Sequence, residues 1–250
     1  MKISIVTVCW NSEKYISDAI ESVLSQNYDD VEYIIIDGGS TDKTIEIVKK
    51  YKKLSKIDFK WISERDSGIY DAMNKGLKMA KGDVVGILNS DDFYTDENVL
   101  SEVMQAFKSL KNIECVYADL YYVDEINTDK IVRRWITGQQ KSFSKGWHPA
   151  HPVLFVKNEV YKKFGYFDTQ LKIAADFEIM LRFLEKHKIK ALYLKMFLLK
   201  MRMGGESNKS LKNIKKGKQE IISAFKNNNI YFPAHYMYIR WIKKIFQYIQ

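Results

Sequence analysis

Four short runs of apolar, largely β-branched residues punctuate the first third of the chain, at 3–8, 33–36, 59–62 and 84–88. Between them apolar residues recur at helical spacing. Tyr15, Ile16, Ala19, Ile20, Val23 and Leu24 do so first, then Ile45 and Val48, then residues 69–80. Strands alternating with amphipathic helices make βαβ units and a parallel sheet. Crossovers in such a sheet are right-handed, so the strand C-terminal ends share one edge. Ligands bind in the crevice along that edge. Asn11 stands where an N-cap for the first helix is expected, and Ser40 or Thr41 where one for the second is expected.

The second half departs from this alternation. Residues 114–123 and 130–136 flank a turn-like segment and predict a small antiparallel pair. Residues 148–168 read as loop-rich, with one strand at 153–156. Residues 175–187 predict a helix with Phe177, Met180, Leu181 and Leu184 on one face. A strand follows at 190–200. Residues 210–226 predict a basic amphipathic helix with Leu211, Ile214, Ile221, Ile222 and Phe225 inward, and a last helix is expected at about 235–249.

A length of 250 residues fits one large α/β domain with at most a small appendage. The two cysteines, Cys9 and Cys115, both lie in apolar runs and read as buried structural thiols. No Cys/His ligand spacing exists, which argues against zinc. The N-terminal apolar run is too short for a signal peptide. No run of 18 apolar residues exists to span a membrane. The expectation is a cytoplasmic protein. Its charge is uneven: residues 190–250 carry 13 Lys/Arg against 2 Asp/Glu, while the rest is nearly balanced.

Acids follow three successive strands: Asp37 after the second, Glu64 and Asp66 after the third, Asp91 and Asp92 after the fourth. A single acid there is commonly a helix cap, and for Asp42 that reading has real weight. Acids after three strands point to a shared role. Clustered carboxylates repel one another, and a hard divalent cation is their natural partner. Mg²⁺ typically takes one or two carboxylates and completes its shell with substrate phosphates, so a diphosphate ligand is expected. The chain has neither a P-loop nor a GxGxxG turn. Arg65 and Lys75 could balance phosphates, with solvated surface the default for Lys75. Trp10 and Tyr70 could stack on a base or sugar; for Trp61 the core is the better reading.

The ordered segments TVCWNSEKYISDAIESVLSQNY, IIIDGGSTDKT, SERDSGIYDAMNKGLKMAKGD, GILNSDDFY and GYFDTQLKIAADFEIMLRF resemble glycosyltransferase family 2. The resemblance covers residues 1 to about 207. It implies a GT-A fold: a Rossmann-like, mostly parallel central sheet flanked by helices, with residues 1–95 holding a nucleotide sugar and 96–207 the acceptor. Residues 208–250 would form a basic helical extension. It also implies inverting transfer from a nucleotide-diphosphate sugar, a UDP-sugar being the expected donor, with Mn²⁺ or Mg²⁺. Thr7, Asp37 and Asp66 would contact the base or ribose. Asp92 would be the metal ligand and Asp91 would reach the ribose or donor sugar. Asp176 matches the position of the catalytic base. Two departures stand out: Asn89 where many members have Asp, and Ala175 where a Glu usually precedes the base. Met203–Ser207 resembles the Gly-Gly segment that closes the domain.

Several readings stay open on the residues themselves. Asp176 is either the base or an N-cap for the helix it begins. His148 and His151 are held apart by prolines; His151 is the candidate for a diphosphate-side or acceptor-side role, and a structural loop is an equal alternative. The C-terminal mixture of aromatic and basic residues suits a helix on an anionic membrane, and equally a helix packed on the domain with a basic outer face. The expected acceptor is a glycan or lipid-linked glycan in surface polysaccharide synthesis. No nucleic-acid module is visible. A sugar-1-phosphate nucleotidyltransferase, a retaining enzyme and a non-catalytic nucleotide-sugar-binding subunit are the alternatives.

Overall fold

The computed structural model describes residues 1–204 and 210–240. The parallel core forms as the apolar runs predict. Strands β1 (Ile3–Cys9), β2 (Val31–Asp37), β3 (Asp58–Ser63) and β4 (Val84–Asn89) are joined by helices α1 (Ile16–Leu24), α2 (Thr44–Leu54) and α3 (Ile69–Met79). Their order is β3-β2-β1-β4, and all three pairings are parallel. The register brings Cys9 opposite Asp37, Asp37 opposite Ser63, and Val8 opposite Asn89. The C-terminal ends of these strands therefore lie side by side.

Beyond β4 the sheet is mixed. It continues through β8 (Leu154–Lys157), β6 (Cys115–Val123), β9 (Ala191–Arg202) and the short β5 (Phe93–Tyr94). The β4–β8, β8–β6 and β9–β5 pairs are antiparallel, and β6–β9 is parallel. The expected antiparallel pair is β6 with β7 (Ile131–Trp135), hanging off the main path. Two helices absent from the sequence expectation complete the frame: α4 (Val99–Ser109) and α5 (Asn158–Phe164).

Side chains alternate across each strand, so β1 feeds two cores. Val6 and Val8 face α3, α5, α6 (Ala175–Met180) and α7 (Leu211–Asn227), while Ile3, Ile5 and Cys9 face α1, α2 and α4. Helix α3 lies unusually close to β1. A Cβ on Gly76 would meet Val6 Cγ1 at 2.2 Å, so only glycine fits there.

Several local expectations are corrected. Asn11 does not cap α1; it adopts a left-handed backbone (φ 49°), and its Oδ1 accepts from Thr41 N–H at 2.9 Å, tying two crevice loops together. Neither Ser40 nor Thr41 caps α2. Asp42 does the local work, accepting from Thr44 N–H at 3.0 Å and Glu13 N–H at 3.1 Å. The predicted 175–187 helix is α-helical only to Met180 and then widens to a π-turn over Leu181–Lys186. Residues 151–153 form a 3₁₀ turn before β8. Ile214 and Ile222 are exposed, because the packed stripe of α7 runs through Gly217, Glu220, Ile221, Ala224 and Phe225. The side chain of Leu211 lies outside the described residues, as do residues 241–249 of the expected last helix; residues 236–240 are helical. No helix among the described residues is long and apolar enough to cross a membrane.

At the opposite end of the sheet from the crevice, Glu32 is fully buried at the start of β2. It accepts from Ser4 Oγ, from Lys81 N–H at 2.7 Å and from the Lys60 ammonium. Burial alone would raise its pKa, but these donors together hold it below the ordinary glutamate range. A depressed folded pKa contributes stability above the unfolded value that is lost as pH falls through the folded one. Glu32→Gln should therefore destabilise the fold by roughly 3 kcal/mol at neutral pH. In denaturant titrations this difference from the native sequence should shrink as pH falls below about 4; a gap that persists into acid would refute the assignment.

Candidate active site

The crevice is built from loops that follow the four parallel strands. Asp37 ends β2 and is fully buried, with donors from the turn that follows it and from the end of β3. Oδ2 accepts from Gly39 N–H (3.0 Å), Ser40 N–H (2.9 Å) and Ser63 Oγ (2.6 Å), and Oδ1 from Ser40 Oγ. Gly39 turns at φ 81°, a conformation that favours glycine and presents its amide to the carboxylate. Asp37 thus shapes the Gly38-Gly39 turn. The thiol of Cys9 lies 3.7 Å from Asp37 Oδ1, and burial followed by that carboxylate pushes its pKa well up. Both cysteines are free and buried, as expected.

Asp66 comes in from the loop after β3, with Oδ2 3.1 Å from where a Gly38 Cβ would stand. Burial raises its pKa against the pull of Lys75. Lys75 is not idle surface: its ammonium joins Asp66, Glu64 at 2.8 Å and Asp71 at 3.6 Å. Trp10, at the end of β1, is 67% exposed beside Gly38, a flat apolar face open to a ligand. Thr7 is different. It is fully enclosed, and its hydroxyl accepts from Tyr33 Oη at 3.0 Å. Only the backbone at that end of β1 is left to meet a base.

The loop after β4 carries Asn89, Ser90, Asp91 and Asp92. Ser90 Oγ lies 2.9 Å from Ser12 Oγ, joining this loop to the one after β1. Asp92 is 1% exposed. Its Oδ2 accepts from Asn89 Nδ2 at 2.9 Å, whereas its buried Oδ1 has no hydrogen-bond partner. Burial, then the neighbouring Asp91, pushes its pKa far above the carboxylate range. An orphaned buried carboxylate oxygen is costly unless something else completes it. A hard cation fits that oxygen. No cluster of three or more His, Cys, Asp or Glu suited to a metal occurs among the described residues. Such a cation would rely on ligand oxygens for much of its shell.

Arg202, at the end of β9, was not singled out by the sequence. It is buried, donates from Nη1 to the Asp91 carbonyl at 2.6 Å, pairs with Asp18 of α1, and lies over the Tyr15 and Phe93 rings. It buttresses the acidic loop from behind. The chain turns at once at Gly204 (φ 116°); residues 205–207 of the Gly-Gly segment lie outside the described residues.

Asp176 sits on the first turn of α6, not at its cap, which is Ala174. The N-cap reading is therefore set aside. Asp176 Oδ1 accepts from Phe177 N–H at 2.8 Å and Tyr70 Oη at 3.3 Å, and Oδ2 makes no hydrogen bond among the described residues. Tyr70 opens α3, directly after the loop of Asp66, so its contact ties Asp176 to the same sheet edge. Asn74, one turn further, clamps Phe167 from both sides, donating to its carbonyl and accepting from its N–H, each at 2.9 Å. Both residues lie inside the SGIYDAMNKG segment, where the sequence marks Tyr70 for stacking on a base or sugar and does not single out Asn74; neither reads there as a support for a distant carboxylate. His151 is buried edge-on to Phe167 at 5.3 Å, its pKa lowered by burial against the opposing influence of Asp176. It joins the Asp176 group. His148 sits between Trp135 and Phe177.

Comparison with known proteins agrees with this architecture. The sequence profile of Glycosyl transferase family 2 matches residues 4–167. An uncharacterized glycosyltransferase of Methanocaldococcus jannaschii is 28% identical over 94% of the chain and 85% of its own length. One from Mycobacterium tuberculosis is 30% identical over 72% of the chain and 68% of its own length. Among solved structures, Staphylococcus aureus TarS 1–349 in complex with UDP-GlcNAc superimposes with a TM-score of 0.68 at 20% identity, over 96% of this chain and 70% of that one. The mannosyltransferase PcManGT of Pyrobaculum calidifontis, in complex with GDP-Man and Mn²⁺, does so with 0.68 at 14% identity, over 97% and 68%. These two likenesses establish the fold. With the profile spanning well over half of the sequence, the chain belongs to glycosyltransferase family 2 and is a glycosyltransferase.

Proposed function

We propose that this glycosyltransferase moves a sugar, with inversion, from a nucleotide-diphosphate donor, a UDP-sugar, to an acceptor hydroxyl. The observation that carries the donor half is Asp92 Oδ1, buried and unpartnered beside Asp91 at the end of β4. It would hold Mn²⁺ or Mg²⁺, whose shell a diphosphate would complete, and the solved neighbours hold UDP-GlcNAc or GDP-Man with Mn²⁺. When bound, the cation neutralises charge on the departing diphosphate. Trp10 and the backbone around Gly38 then form the base and ribose side, Asp66 reaches the ribose, and Asp91 the ribose or sugar. Asp37 contributes by holding that turn.

Asp176 supplies the other half. Its carboxylate takes the proton of the acceptor hydroxyl as that oxygen bonds to the anomeric carbon and the nucleoside diphosphate leaves with the bonding pair. Tyr70 Oη orients the carboxylate through Oδ1, which leaves Oδ2 for the acceptor. His151, behind the base, shapes its pocket.

The acceptor is a lipid-linked glycan of surface polysaccharide synthesis, met at the cytoplasmic membrane face. Helix α7 turns Lys212, Lys215, Lys216, Lys218 and Lys226 outward with Ile222 among them, and Tyr231 and Tyr238 are exposed nearby. Its lone acid, Glu220, faces inward. This pattern favours an anionic lipid surface.

Three measurements test this reading. The chain with Mn²⁺ should release UDP from one of UDP-N-acetylglucosamine, UDP-glucose or UDP-galactose; release from GDP-mannose alone would overturn the UDP-sugar reading. Asp176→Asn should slow that release about 10²–10⁴-fold while nucleotide affinity holds; equal rates reject Asp176 as base. Burial already disfavours a charge on Asp92 when no cation is present, and asparagine keeps its shape, so in EDTA the Tm of Asp92→Asn should stay within about 2–4 °C of the native chain's. UDP with Mn²⁺ should raise the Tm of the native chain but not of the variant. Finally, the chain should co-sediment with phosphatidylglycerol vesicles at low salt and lose that binding when Lys212, Lys215 and Lys226 become Glu. Each lysine is worth about 1 kcal/mol at such a surface. Binding that ignores these changes speaks against α7 as the contact.

A further inference from the structure

Glu220 is an acid on a helix of lysines, yet it makes no salt bridge among the described residues and is 8% exposed. Its carboxylate is instead spent on backbone. Oε1 accepts from Lys172 N–H at 2.9 Å, and Oε2 from Ile173 N–H at 2.8 Å and Ala174 N–H at 2.9 Å. A carboxylate that accepts three amides forms strong, charge-assisted bonds. These amides lead directly into α6. Its N-cap, Ala174, has no side-chain oxygen, so the helix cannot satisfy its own entry. Glu220 does this from another helix, with a negative charge at the favourable end of the dipole.

Asp176 follows two residues after Ala174. The loop that delivers it is held on one side by Tyr70 Oη, which donates to the Ile173 carbonyl at 3.0 Å, and on the other by Glu220. The remainder of α7 and the segment after it close on the same region. Asn228 Nδ2 donates to Glu178 Oε1 at 3.0 Å, Phe225 and Tyr236 pack on Phe177, and Gly217 lets Ile173 come close.

We propose that Glu220 is a positioning residue for sugar transfer: through the amides of residues 172–174 it fixes the carboxylate of Asp176, which makes α7 part of the catalytic unit. This rests on Asp176 being the base. A displacement of the base by an ångström can cost about 100-fold in rate, so a remote anchor of this kind has a kinetic signature.

The test compares Glu220→Gln, Asp176→Asn and the double variant, using the sugar nucleotide released fastest in the donor screen, with Mn²⁺ and with water as acceptor. Glu220→Gln should lower kcat about 10- to 100-fold and leave the dissociation constant for UDP unchanged. Hydrogen exchange at the amides of 172–174 should accelerate about tenfold or more, without a matching change in β1–β4. In the Asp176→Asn background, Glu220→Gln should slow kcat no further, because two residues acting as one unit are not additive. A merely structural role would weaken UDP binding in step with kcat, or add its full loss in the double variant; either result overturns the proposal, as does an unchanged kcat in a folded Glu220→Gln chain. If Glu220→Gln does not fold, Glu220→Asp, which keeps the charge and withdraws it by one methylene, carries the same comparison. Full activity of Asp176→Asn removes the base and with it this proposal, an outcome distinct from a Glu220→Gln chain that keeps kcat while Asp176→Asn loses it.

Discussion

A carboxylate taken out of water must be given hydrogen-bond donors or opposite charge. The register of β1–β4 sets several such groups side by side, and the site is organised by how each is satisfied. Asp37 is saturated by the amides and hydroxyl of its own turn together with the Ser63 hydroxyl from the end of β3, which ties that turn to the neighbouring strand. Asp66 shares Lys75 with two other acids. Asp92 receives one amide donor and keeps one oxygen open. The acid whose needs the protein leaves unmet is the one best suited to a bound cation. Under the proposed role of Asp92, local stability would be given up there for binding, a trade common at functional sites.

The loop that leads to Asp176 is fastened by others. Asn74 and Tyr70 grip it from α3, and Glu220 from α7. The segment between β3 and the end of α3 thus touches two parts of the crevice at once. Asp66 reaches toward the Gly38 turn, and Tyr70 and Asn74 hold the loop of Asp176; the role proposed for Asp176 as base would need that fixed direction. A shift of α3 would disturb both together, and Gly76 keeps that helix pressed on β1.

Much of this frame was legible beforehand because it depends on local periodicity. The four parallel strands, α1 to α3, the β6–β7 pair and the acids after strands two, three and four all follow from spacing alone. Helix α4 was also legible in principle, since Val99, Leu100, Val103, Met104 and Phe107 share a buried face. Other features were not. Asn11, expected as a cap, instead ties two crevice loops, which depends on the Thr41 loop coming within hydrogen-bond reach. The enclosure of Thr7 depends on Tyr33 lying beside it in the next strand.

Sequence by itself therefore determined the fold class, the family and which residue types gather at the crevice, because strand and helix periods and short motifs are properties of neighbours along the chain. Tertiary structure alone decided which acids are spent on architecture and which remain open. Asp37 and Asp92 look alike in sequence, each an aspartate just past an apolar run, yet one is saturated and the other keeps a bare oxygen. Glu220, one acid in a basic helix, gave no sign of its partners, which lie 46 to 48 residues away. A carboxylate's role follows from the donors brought to it by folding, and those come from parts of the chain that no local pattern connects.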